Sequence, residues 1–200
     1  MAETTVLIPD TGTKKAHFWD RSIGGNTVLD EFVIPGEYPY ASYTATANGL
    51  STATSGADLM QLMAGASLNL FVRRIEVQQQ AAAGAVAPTV IQIVRLTSAG
   101  TGGTVVTPRR AQLTDAASGA TAMTLPTAQG ATSDIYYNRP LWLGTAAIPI
   151  LDYWVWEARP NSKGLFIAAG VTNGIVLNLV TGVATSTVTV NIDFVEVNFT

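Results

Sequence analysis

Apolar and polar residues alternate at period two through most of the chain, and Gly, Pro and Asn interrupt the alternation at short intervals. This pattern predicts β-strands, because successive side chains on a strand point to opposite faces. The longest stretches are residues 67–80 (SLNLFVRRIEVQQQ) and 89–97 (TVIQIVRLT), separated by the small-residue loop 81–88, and they read as a central hairpin. In the first, Phe71, Arg73, Ile75 and Val77 share one face, while Leu68, Leu70, Val72, Arg74, Glu76 and Gln78 share the other. The apolar face therefore changes sides around Arg73-Arg74, which predicts a bulge or a passage from one sheet to another.

Upstream, residues 40–47 (YASYTATA) alternate and end at the turn dipeptide Asn48-Gly49, and residues 58–64 (DLMQLMA) fit a short strand or one helical turn. Downstream lie the loop 98–103 (SAGTGG) and an Ala/Thr/Gly-rich stretch over 104–132, within which 109–117 predicts a short helix. Residues 134–137 and 140–143 predict edge strands. Four more strands are expected at 151–158, 164–169, 174–181 and 186–199, with turn chemistry at Arg159-Pro160-Asn161, Asn173-Gly174 and Thr181-Gly182. The last alternates through Val188, Val190, Ile192 and Phe194, then through Val195, Val197 and Phe199, so a bulge is expected at Phe194-Val195. No sustained helical period occurs. The expected fold is all-β, a two-sheet antiparallel sandwich. Both a jelly roll and an immunoglobulin-like Greek key fit, and the long 104–132 insert favours the jelly roll, which needs a long crossing.

The first 39 residues differ in texture. Turn residues (Pro9, Gly12, Gly24, Gly25, Pro35, Gly36) break up scattered apolar ones, yet a disordered tail would be poorer in the latter. Residues 1–39 therefore read as an extended arm that docks on its own body or on a neighbour, with Phe18, Trp19 and Phe32 as contacts, and residues 40–200 as the sandwich domain.

Composition sharpens this reading. The chain is 48% hydrophobic and only 12% charged, about half the usual charged share. The arm carries six acids and three bases, and the body from Ala41 onward eight of each, so the formal charge of -3 belongs to the arm. No basic field of the kind nucleic-acid binding requires is present. There is no cysteine, which excludes disulfides and thiolate metal sites. The N-terminus lacks a basic leader with an apolar core, and no apolar run approaches the ~20 residues of a membrane span. A soluble protein made in a cytoplasm is expected.

Candidate chemistry is sparse. The lone His17 has no partners for a triad or a multi-histidine metal site. Asp152 and Glu157 stand five positions apart and so point to opposite faces of a strand, unlike a glycosidase pair. SAGTGGT lacks the Lys-Ser/Thr and the helix of a phosphate loop. Arg73 and Arg74 also point oppositely, which suits one to an ion pair, with Glu76 the candidate acid, and the other to a partner or solvent. Trp154 and Trp156 share a strand face. With Tyr136 they form either a platform for a sugar or part of the core, and the core reading is favoured. No catalytic, cofactor or metal site is expected.

The order YTATANGL, DLMQLM, an RRIEV strand, IQIVRLT and SAGTGGT followed by TP, over residues 40–62 and 68–104, resembles a group of tailed-bacteriophage virion structural proteins of the head decoration or cement type. The resemblance implies a β-sandwich, usually trimeric, bound to the major capsid protein on the capsid surface, with terminal arms reaching neighbours and no catalytic residues. The expected function is a non-enzymatic decoration protein fastened through residues 1–39. The other reading carried forward is a carbohydrate- or receptor-binding module of a fibre or tail.

Overall fold

The computed structural model describes the backbone of residues 3–7, 15–23 and 26–31, and residues 40–148, 152–159 and 164–197 with their side chains. The chain divides into two compact units, Met1–Pro39 and Tyr40–Thr200.

The first unit holds three antiparallel strands, β1 (Glu3–Leu7), β2 (Lys15–Ile23) and β3 (Asn26–Glu31), in the order β1-β2-β3. The segment expected as an extended arm thus includes a paired sheet. Ile23 is opposite Asn26, a two-residue connection whose Gly24-Gly25 sequence is a hairpin signal that the arm reading passed over.

The second unit is all-β, with two antiparallel sheets packed face to face. Sheet one runs β11 (Thr132–Leu143), β7 (Ala87–Leu96), β14 (Gly174–Leu179), β5 (Ala57–Met63), β10 (Thr121–Thr124), β8 (Thr104–Val106). Sheet two runs β12 (Tyr153–Glu157), β6 (Asn69–Ala81), β15 (Thr187–Val197), β4 (Ser42–Ser51), β9 (Arg109–Arg110), and β13 (Leu165–Ile167) prolongs the β12 edge along β6. The pairing is nested: β4 with β15, β5 with β14, β6 with β12 and β13, β7 with β11. Inward residues from both sheets fill one core, including Ile75, Val77, Trp154, Val190, Ile192 and Phe194 from sheet two and Leu62, Ile91, Ile93, Ile175 and Leu177 from sheet one. Among the described residues no helix is long and apolar enough to cross a membrane.

Several expectations change. The central hairpin does not form, because β6 and β7 belong to different sheets and residues 82–86 carry the chain across the sandwich. Alternation shows that each is half-buried in a sheet, and a loop of that length suits a crossing as well as a hairpin. Asn48-Gly49 is a bulge inside β4: Val188 opposes Leu50 while Val190 opposes Ala47, and Gly49 has φ 70°, a conformation glycine adopts without strain. The helix at 109–117 is absent, since Arg109 and Arg110 pair with Thr44 and Tyr43 at the edge of sheet two. Residues 134–143 lie in one strand, and Pro140 is tolerated because β11 is an edge.

The bulge expected at Arg73-Arg74 is present. Asp193 opposes Arg74 and Phe194 opposes Val72, leaving Arg73 as the extra residue. Leu70 and Val72 before it, and Ile75 and Val77 after it, therefore all reach the same core. The bulge expected on β15 at Phe194-Val195 proves to be this same one, carried by the partner strand. β15 itself continues in register with β4, and Val195 and Val197 pack with Phe71 on the outer face.

The Ala/Thr/Gly-rich stretch packs along sheet one. Gln61 Nε2 donates to the Gly100 carbonyl (3.4 Å), its Oε1 accepts from Gly100 N (2.9 Å), and Leu125 N donates to the Leu59 carbonyl (3.2 Å). The Gln129 side chain donates to the Gly56 carbonyl. A second apolar cluster, Met63, Val94, Leu96 and Val176, lies on this outer face. The far end of the insert is tied to sheet two. The Glu196 carboxylate, itself buried, accepts from Ser118 Oγ (2.6 Å), Ala120 N (2.9 Å) and Gly119 N (3.2 Å).

Candidate functional site

Where β12, β6, β15 and β4 run side by side, strand alternation sends every second side chain to the outside of sheet two, and the cross-strand register sorts these into rows. Tyr153 lies opposite Gln78, and Gln78 opposite Thr189. Val155 lies opposite Glu76, Glu76 opposite Asn191, and Asn191 opposite Thr46. Glu157 lies opposite Arg74, Arg74 opposite Asp193, and Asp193 opposite Thr44. Neighbouring strands are ~4.8 Å apart, so these side chains form one polar surface. Beyond the Arg73 bulge the face turns apolar, with Phe71, Val195 and Val197 clustered and Phe166 set against Phe71 at 5.3 Å.

Hydrogen bonds fix part of the surface. Thr44 Oγ1 donates to Asp193 Oδ1 (2.6 Å) and Thr189 Oγ1 to Asn48 Oδ1 (3.0 Å). Arg74 pairs with Glu76, the acid expected from the sequence. Both partners are partly exposed, so the pair orients more than it stabilises. Arg73, the other half of the basic pair, is half-buried in the bulge and its carbonyl accepts from Ala158 N (2.8 Å).

The aromatic candidates separate. Trp154 is fully buried, with its indole N–H donating to the Arg139 carbonyl (3.1 Å), and Trp156 is 9% exposed. Neither offers a free ring face to a ligand. Tyr136 is 46% exposed and meets Trp156 edge-on at 5.8 Å, and Tyr137 meets Trp154 in the same way at 5.6 Å. These contacts tie the β11 edge of sheet one to the β12 edge of sheet two. The aromatic residue of β12 that faces outward is Tyr153, 55% exposed, which the sequence reading did not select.

In the first unit, Phe18 lies opposite Thr4 and Glu31, and Trp19 opposite Glu3 and Asp30. Phe32 lies outside the described residues. His17 sits in β2 opposite Thr5.

Asp152 accepts a hydrogen bond from Trp142 N (3.1 Å), where it helps close the β11 edge, while Glu157 is exposed in the charged row of sheet two. Among the described residues no group of three His, Cys, Asp or Glu could hold a metal ion. Among the described residues two ionisable groups are perturbed. Burial pushes Asp58 above the ordinary carboxylate range, a rise partly offset by the hydrogen bond from Asn178 Nδ2 (2.9 Å), and its Oδ2 is buried without a partner. Tyr43, whose hydroxyl donates to the Ala116 carbonyl (3.0 Å), is raised above the usual tyrosine value by burial first and then by Glu196 and Asp115, against the opposing effect of Arg110. Both lie in structural contacts. What this body presents on sheet two is an ordered polar surface. Comparison of the chain with protein-family models, with curated proteins and with solved structures finds no match to any of them.

Proposed function

We propose that the protein is a non-enzymatic virion structural protein of the decoration or cement type, in which the first unit fastens a trimer of β-sandwich bodies to the major capsid protein on the outside of a phage head. The observation that carries this reading is the division of the chain into a 39-residue sheet unit and a sandwich body. Three strands make a single layer, and a single layer gains stability by covering a face against another surface. On this reading the cover is the shell or a neighbouring copy, and symmetry multiplies each modest contact.

The nested pairing of the eight principal strands supports a jelly-roll-like body, an architecture that recurs in viral capsid domains. Fold alone does not fix function, so the test addresses binding. Deleting residues 1–36 leaves a folded body, read by a β-type far-ultraviolet circular dichroism spectrum with a cooperative thermal transition, and abolishes binding to undecorated shells. Full occupancy by the truncated chain would refute the role given to the first unit.

A further inference from the structure

We propose that the outer face of sheet two is a binding site for neutral oligosaccharides, with Tyr153 as the stacking residue and the amides of Gln78 and Asn191 as its hydrogen-bonding groups. The site stands apart from the shell-binding reading, since it lies wholly on the sandwich body.

Three observations lead there. Tyr153 is more than half exposed on an otherwise polar sheet face, where its ring is free to pack on the C–H face of a sugar. Beside it is a depression of about 290 Å³ lined by Tyr153, Gln78, Glu76, Arg74, Val77 and Asn191, close to the lower end of the ~300 Å³ upward that small-ligand sites occupy. Around this depression Thr44 is bonded to Asp193, Thr189 to Asn48 and Arg74 to Glu76, while Gln78 and Asn191 make no side-chain hydrogen bond among the described residues. Each carries a donor and an acceptor on one rigid plane, the pairing that adjacent sugar hydroxyls satisfy. They sit on central strands, so their positions are set by the ladder and little ordering is needed on binding.

Charge and size narrow the ligand. Glu76, Glu157 and Asp193 outnumber Arg74 in these rows, which disfavours sialylated or phosphorylated glycans. A protein partner would want an apolar centre, whereas the middle row of this face is Glu76, Asn191 and Thr46 with Val155 as its one apolar member. From Tyr153 to Glu157 the face runs roughly 13 Å along the strands, and it spans about 14 Å across four of them, enough for more than one pyranose ring.

The test uses the full chain on a glycan array carrying neutral hexose and N-acetylhexosamine oligomers beside their sialylated counterparts, followed by titration of the best-retained neutral oligomer. Wild type is expected to retain neutral oligomers in preference to sialylated ones. Tyr153→Ala is expected to weaken binding at least tenfold, and Gln78→Ala and Asn191→Ala severalfold each, all with unchanged melting temperature because the three side chains lie on the surface. Tyr136→Ala, on the sheet-one edge, is expected to bind as wild type. Retention of no neutral glycan, a preference for the sialylated set, or loss on Tyr136→Ala with Tyr153→Ala unaffected would each overturn the assignment.

Discussion

Glu196 ties the far end of the long insert to the last strand of the body, and its removal is the most informative single perturbation of the fold. Its carboxylate accepts three hydrogen bonds, from Ser118 Oγ, Gly119 N and Ala120 N. Bonds to a charged acceptor contribute roughly 1.5–3 kcal/mol each, and a buried donor left without a partner costs about 1–3 kcal/mol. In Glu196→Ala, water recovers the loss at the exposed Gly119 and part of it at the half-buried Ser118, while the buried Ala120 N–H keeps only its second, longer bond to Ser118 Oγ (3.1 Å). Relief from burying a carboxylate offsets a further part. The balance is a loss of about 2–4 kcal/mol. Glu196→Gln keeps the shape but turns an N–H₂ group toward Gly119 N or the other donors, so it is expected to lose less, about 1–2 kcal/mol. With a urea m-value of ~2 kcal/mol/M, the alanine variant unfolds at a midpoint about 1–2 M lower. Freed from its anchor, the insert is also expected to become sensitive to trypsin after Arg109 and Arg110. A midpoint within about 0.3 M of wild type, with an unchanged digestion pattern, would refute the anchoring role.

Burial at Asp58 and backbone strain at Thr185 each give a further outcome. Asp58 is raised by burial, so its contribution is most favourable below the unfolded carboxylate pKa and is lost as pH rises through the folded value. Asp58→Asn is therefore expected to be more stable than wild type at pH 7, with the advantage shrinking as pH falls toward 4; urea midpoints at both pH values check this, and a constant difference would count against it. Thr185 holds φ 62°, a left-handed conformation that costs a β-branched residue about 1–2 kcal/mol. Thr185→Asn is expected to stabilise by about 0.5–1 kcal/mol in the same assay, and an unchanged or lower midpoint would show that the turn favours threonine.

Most strands were legible in the sequence because period-two alternation is local. The side change at Arg73-Arg74 was enough to place a bulge in β6. Which strands become neighbours was not legible: the alternation of β6 and β7 is the same whether they pair with each other or lie in facing sheets. Asn48-Gly49 reads equally as a turn or a bulge, and the partner strand β15 decides between them through the Val188 and Val190 register. The same limit explains the surface that was missed. Gln78, Asn191 and Thr46 each fall on the polar side of a strand pattern, but only the long-range pairing brings those sides together. Trp154 and Trp156 could be placed on a common face, while the choice between core and solvent rested on which side of β12 the other sheet occupies.

The nested pairing also fixes when the body can exist at all. β15, the last strand of the sandwich in chain order, sits between β4 and β6, two of its earliest. Until it arrives, β4 and β6 each lack a neighbour, and no hairpin between them can substitute, since they are not paired with each other. A ribosome must therefore deliver the chain through β15 before the body closes, and folding is slow because its decisive contacts join distant segments. A nascent chain stalled before residue 187 would present two open strand edges, the kind of surface that invites aggregation.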